Sequence, residues 1–125
     1  MLDIDHFKRV NDVHGHGAGD AILKAVSETL VKSLRENDIV GRWGGEEFLV
    51  ILSDVNATVL HDAAERCRVL VANTGVLTEG NRVSIGISIG ATLMVNRDSA
   101  ESVVKRADQL MYVSKSGGRN RTTTG

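Results

Sequence analysis

Between Arg82 and Met94 bulky and small residues alternate. Val83, Ile85, Ile87, Ile89 and Leu93 fall on one parity, and Ser84, Gly86, Ser88 and Gly90 on the other. Successive strand side chains point to opposite faces, so this spacing predicts one strand with an apolar face and a face of small residues. The bulky face must be buried against another layer, so the chain is constrained to a sheet covered by helices. The helices are predicted over Gly17–Leu34 (through Ala18, Ile22, Val26 and Leu30), Ala57–Val71 (through Leu60, Ala64 and Cys67) and Ala100–Ser114 (through Val104, Ala107 and Met111). All three carry apolar residues at helical spacing. Ile39–Trp43 and Phe48–Leu52 read as strands joined by a tight turn at Gly44-Gly45, where both glycines can take positive φ.

Met1–Ile4 reads as the tail of a strand, since an isolated strand of about four residues at a terminus is unusual. Asp5–Asp12 reads as a short helix and Arg119–Thr123 as a short last strand. The order β-α-β-β-α-β-α, closed by a β, predicts an α+β sandwich with helices on one face of an antiparallel sheet. The 125 residues suffice for one core and not two. The expected organisation is therefore a single domain over 1–125, truncated at its N-terminus, with the start of the first strand missing.

Composition narrows the function classes. No apolar run approaches the roughly 20 residues of a membrane span. Asp3 and Asp5 stand where a secretory signal needs basic and then apolar residues. Cys67 is the only cysteine, which excludes an internal disulfide and points to a reducing cytoplasm. A net charge of −1 gives no reason to expect a nucleic-acid partner.

Chemistry concentrates at the turns. Asp3 and Asp5 end the first strand, and Glu46 and Glu47 sit at the tip of the Gly44-Gly45 hairpin. If the hairpin pairs beside the first strand, these acids converge and call for a cation such as Mg²⁺, which takes oxygen ligands and keeps a nucleotide phosphate in its shell. Acidic turns are also simply solvated in many proteins. The helix start near Phe7 and Lys8 offers free amides and a positive charge to a phosphate. Gly15-His16-Gly17-Ala18-Gly19-Asp20 reads as a glycine-rich loop that lets a ligand approach. Asn11 and Asp20 suit guanine, because a carboxylate accepts from its N1 and N2 hydrogens, and His16 is a further polar candidate. Lys115 and Arg119 are either a cationic arm for phosphates or charges that complement a helix C-terminus capped by Gly117. Arg35 and Asp38, alone, are an ordinary surface pair.

Together and in this order, the motifs resemble the GGDEF family of diguanylate cyclases. Leu2-Asp3-Ile4-Asp5-His6-Phe7-Lys8 is similar to its first signature, and Asn11-Asp12, Gly15-His16 and Gly19-Asp20 to its guanine-binding segment. Gly44-Gly45-Glu46-Glu47-Phe48 matches the naming motif with Glu at the third position, a variant found in active members. Val83-Ser84-Ile85-Gly86, Ala107-Asp108, Lys115 and Gly118-Arg119-Asn120-Arg121 complete the match over essentially the whole chain.

The resemblance implies a palm-like ferredoxin-type sandwich, its central, largely antiparallel sheet surrounded by helices. It implies condensation of two GTP into cyclic di-GMP at a site shared between two domains of a homodimer. Asp3, the Ile4 carbonyl and Glu46 would hold Mg²⁺ or Mn²⁺. Glu46, Lys8 and Glu47 are the implied catalytic residues. Phe7, Lys8, Lys115 and Arg119 would bind the triphosphate, and Asn11, His16 and Asp20 the base. Arg35, Asp38 and, as an assistant, Arg66 would form a product-inhibition site. Family members carry a further helix ahead of the first strand and upstream sensory domains, and the parent protein can be membrane-anchored. The competing readings are a non-catalytic cyclic di-GMP receptor acting through Arg35 and Asp38, and a plain oligomerisation module.

Overall fold

The computed structural model describes residues 1–125. Its elements are β1 (Leu2–Ile4), α1 (Phe7–His14), α2 (His16–Ser33), β2 (Ile39–Gly44), β3 (Glu47–Ile51), α3 (Ala57–Ala72), β4 (Gly75–Thr78), β5 (Asn81–Ser84), β6 (Ile87–Ala91), α4 (Ala100–Ser116) and β7 (Arg121–Thr124). Five strands form one sheet in the order β2-β3-β1-β6-β7. All neighbours are antiparallel except β6 and β7, which run parallel. No helix is long and apolar enough to cross a membrane.

Helices cover both faces of this sheet, not one. On the first, α2 and α3 bring Ile22, Val26, Leu30, Cys67 and Val71 against Leu2, Ile4, Phe48, Ile87 and Ile89. On the second, Ala107 and Met111 of α4 pack on Met1, with Leu49 and Val104 beside them. The small face of the strand around Gly90 is what admits α4. A Cβ on Gly90 would collide with the Ala107 carbonyl and the Met111 amide, so the helix backbone rests directly on the strand.

The alternating segment is two strands. It breaks at Ile85-Gly86: β5 leaves the main sheet to pair with β4 in a separate hairpin, and only β6 pairs with β1 and β7. β4, which carries no clear alternation, is an element the sequence does not announce. Of the hairpin glycines, only Gly45 takes a positive φ, because the register shifts between Arg42 and Gly44 and the turn falls at Gly45-Glu46. The glycine-rich stretch after α1 is not a loop either. Gly15, at φ +85°, alone breaks the chain, and Gly17 and Gly19 lie inside the first turns of α2. The last strand begins at Arg121 because Gly118, Arg119 and Asn120 all take positive φ.

Candidate functional site

The central place of β1 assembles the site. Asp3 lies opposite Glu47 of β3 on one side and Ser88 of β6 on the other. The Ile4 amide donates to the Glu46 carbonyl at 3.2 Å, which fastens the hairpin tip to the end of β1. Asp3 is buried, and its Oδ2 pairs with Lys115 Nζ at 3.1 Å. Burial pushes the Asp3 carboxyl above its ordinary range, Glu46 and Glu47 push it the same way, and Lys115 opposes them. Asp3, Glu46 and Glu47 thus lie near one another, and Lys115, which the sequence offers only as a phosphate arm or a helix-end charge, pairs with Asp3.

Asp5 is not part of that group. Its Oδ1 accepts from Ser88 Oγ at 2.6 Å and its Oδ2 from the Asn120 amide at 2.9 Å. It is a buried carboxylate that fixes the turn carrying Arg119. Arg68 of α3 extends the network, donating to Asn120 Oδ1 at 3.1 Å while it forks onto Glu65. Sequence reasoning missed Ser88, Asn120 and Arg68 as supports, because Asn120 lies 115 residues from Asp5.

No three carboxylate, histidine or cysteine side chains meet as a ready-made metal cage. The donors near Asp3 nevertheless suit a hard cation that takes its remaining ligands from a nucleotide. An ammonium already sits on Asp3, in a field that the two glutamates make negative.

His6 starts α1 in the left-handed region (φ 56°, ψ 28°) with no side chain capping the helix. The Phe7 and Lys8 amides in its first turn are therefore open to an anion. Lys8 and Arg119 are exposed, and Lys115 reaches Asp3 from the last turn of α4. Asn11 of α1 faces α2 at Gly19, where a Cβ would collide with its side-chain carbonyl. That glycine lets the Asn11 side chain lie against α2, one residue before exposed Asp20, while His16 is exposed at the start of α2.

A second pocket, of about 190 Å³, is lined by Arg35, Asp38, Asp62 and Arg66 among others. Asp38 is bonded within its own loop. Its Oδ2 accepts from the Arg35 amide at 2.9 Å and its Oδ1 from the Ser53 amide at 3.1 Å. Arg66 donates twice to the Ser33 carbonyl, at 3.2 and 3.0 Å. Asp62, four residues before Arg66 and so on the same face of α3, was within reach of sequence reasoning but not singled out.

Residues 1–121 match the family described as "Diguanylate cyclase, GGDEF domain". The chain belongs to the GGDEF family. Over 124 residues this GGDEF domain is 41% identical to Diguanylate cyclase A of Treponema denticola, covering 98% of the chain and 33% of that relative. The chain thus spans a third of the relative's length. Its fold matches the diguanylate cyclase SiaD of Pseudomonas aeruginosa, solved with its activator SiaC, at a TM-score of 0.96 and 35% identity, over 99% of this chain and 48% of that one. It matches the GGDEF domain of DgcB from Caulobacter crescentus, solved with c-di-GMP, at 0.94 and 36%, over 98% of this chain and 74% of that one.

Proposed function

We propose that this GGDEF domain condenses two GTP into cyclic di-GMP with release of pyrophosphate. The observation that carries the reading is the convergence of Asp3, Glu46, Glu47 and Lys115 at the junction of β1 and the hairpin. Asp3, the Ile4 carbonyl and Glu46 would hold Mg²⁺ or Mn²⁺. When bound, the ion would supply Lewis-acid stabilisation of charge on the reacting phosphate. Glu46 would take the proton of the attacking 3′-hydroxyl, with Glu47 supporting the negative field. The open amides at Phe7 and Lys8, with the Lys8, Lys115 and Arg119 side chains, would hold the triphosphate and its developing charge. Lys115 would exchange Asp3 for phosphate as the ion arrives. Asn11, His16 and Asp20 would read guanine, and adenine lacks the N1 and N2 hydrogens that Asp20 accepts.

One domain holds one GTP, so two domains of a homodimer would face each other to complete the site. Arg35, Asp38 and Arg66 would bind the product and restrain this encounter. The 125 residues would act as a single domain. Upstream sensory segments, a membrane-anchored parent and a cytoplasmic site of action belong to the same proposal.

The test is to incubate the protein with GTP and Mg²⁺ and identify the product by mass. Wild type is expected to yield cyclic di-GMP, and Glu46→Gln to lose turnover by at least about a hundredfold with its circular dichroism unchanged. Turnover of Glu46→Gln at the wild-type rate sinks the assignment.

A further inference from the structure

We propose that Arg68 of α3 is a positioning residue for the triphosphate, holding the Gly118-Arg119-Asn120 turn through Asn120 and so placing the Arg119 guanidinium. The inference rests on the reading that Arg119 binds the phosphates of GTP. The turn takes positive φ at three consecutive residues, 119°, 63° and 43°. Two of them are not glycine, so the conformation persists only where the surroundings over-determine it. The Arg119 amide donates to the Ser114 carbonyl at 3.0 Å, and the Gly118 amide more loosely to the Lys115 carbonyl at 3.4 Å. The far end of the turn is fixed from distant parts of the chain. Asp5 accepts from the Asn120 amide at 2.9 Å, and Arg68 Nη1 donates to Asn120 Oδ1 at 3.1 Å.

The rest of the Arg68 guanidinium is already mounted. Its Nε and Nη2 fork onto the two Glu65 oxygens, both at 2.9 Å, which leaves Nη1 for Asn120. Both side chains are partly buried, and Arg68 holds the Glu65 carboxyl below its usual range. Asn120 is thus gripped by its amide and by its side chain, from residues 115 and 52 positions away. Arg119 is exposed and its side chain forms no ion pair, so the turn alone places it. A turn fixed in advance lowers the ordering cost of docking Arg119 on a phosphate. Lysine at position 68 would not serve, because one ammonium cannot fork onto Glu65 and reach Asn120 at once.

Isothermal titration in Mg²⁺ with the α,β-methylene analogue of GTP, which keeps the triphosphate charge and blocks release of pyrophosphate, tests this. Arg119→Ala is expected to weaken binding by about tenfold or more. Arg68→Ala should weaken it by about threefold or more in the wild-type background, and by less than about twofold in the Arg119→Ala background. A purely structural role predicts the same factor in both. The cycle is repeated with Arg68→Lys, which keeps a charge for Glu65 and with it the fold, and which is expected to lose the same factor as Arg68→Ala. Wild-type affinity in either Arg68 variant, or an equal loss in the two backgrounds, overturns the positioning role while the triphosphate reading stands. Absence of wild-type binding, or binding untouched by Arg119→Ala, overturns the triphosphate reading itself and the inference with it.

Discussion

Asp3, the proposed metal ligand, shows how a buried carboxyl can oppose stability. Its folded pKa is raised, chiefly by burial. A carboxyl of that kind stabilises the fold most below its unfolded pKa, and the contribution is lost as pH rises through the folded value. In its ionised form the group is a liability that Lys115 only partly offsets. Asp3→Asn is therefore expected to hold or raise Tm by calorimetry in metal-free buffer, while GTP turnover falls by at least about a hundredfold. A lower Tm with full turnover would contradict this account. The sequence marks Asp3 and Asp5 equally, as two acids at one strand end. Their roles part only in the fold, where the Ser88 hydroxyl and the Asn120 amide take Asp5.

At the scale of elements, α4 owes its seat to Gly90. Replacing that glycine by alanine forces a methyl into the helix backbone, and overpacking of this kind costs about 1–3 kcal/mol or more. Gly90→Ala is expected to lower the unfolding free energy by that amount, read as a lower urea midpoint, and to disturb Lys115, which rides on the same helix. An unchanged midpoint would show that α4 can shift freely. Arg106 holds the loop ahead of α4, forking onto Asp98 and donating to the Leu93 carbonyl at 2.8 Å. This pairing keeps the Asp98 carboxyl well below the usual range. Alternation over Arg82–Met94 was legible, but its division into β5 and β6 was not. Both halves share the same parity, and Gly86, where they part, packs where a Cβ would come within 3.1 Å of Asp5 and Asn120, residues far away in the chain.

Across the whole molecule the sheet has a gap. On the Met1 side of β1, the facing edges of β3 and β6 have no strand residue between them past Met1. Leu49, Ile51, Ala91 and Leu93 help line an apolar cavity of about 400 Å³ there. Met1 sits at its floor, and its ammonium donates to the Gly90 carbonyl at 2.9 Å. Burial lowers that amine from 8.0 to about 6, against the opposing pull of Asp108. A depressed pKa means the contribution is present above the unfolded value and lost as pH falls through the folded one. The 125-residue protein is expected to lose stability between about pH 8 and pH 6, by at most about 2–3 kcal/mol. Adding apolar strand residues ahead of Met1 turns the ammonium into a neutral amide and fills the cavity. That variant is expected to show a higher Tm and no such pH slope, and an unchanged profile would refute the assignment of the slope to the buried Met1 amine.

Local pattern alone determined the three long helices, the acid-tipped hairpin and the family motifs, because periodicity and turn chemistry are properties of neighbouring residues. Pairings between distant residues decided the rest. The placement of β1 between β3 and β6, the covering of both faces, the diversion of Asp5 to Asn120 and the bond from the Ser53 amide to Asp38 each join segments that no local signal connects. Packing and hydrogen-bond satisfaction act on the whole chain at once, so only the tertiary structure separates the carboxylates left free for a ligand from those that hold the fold.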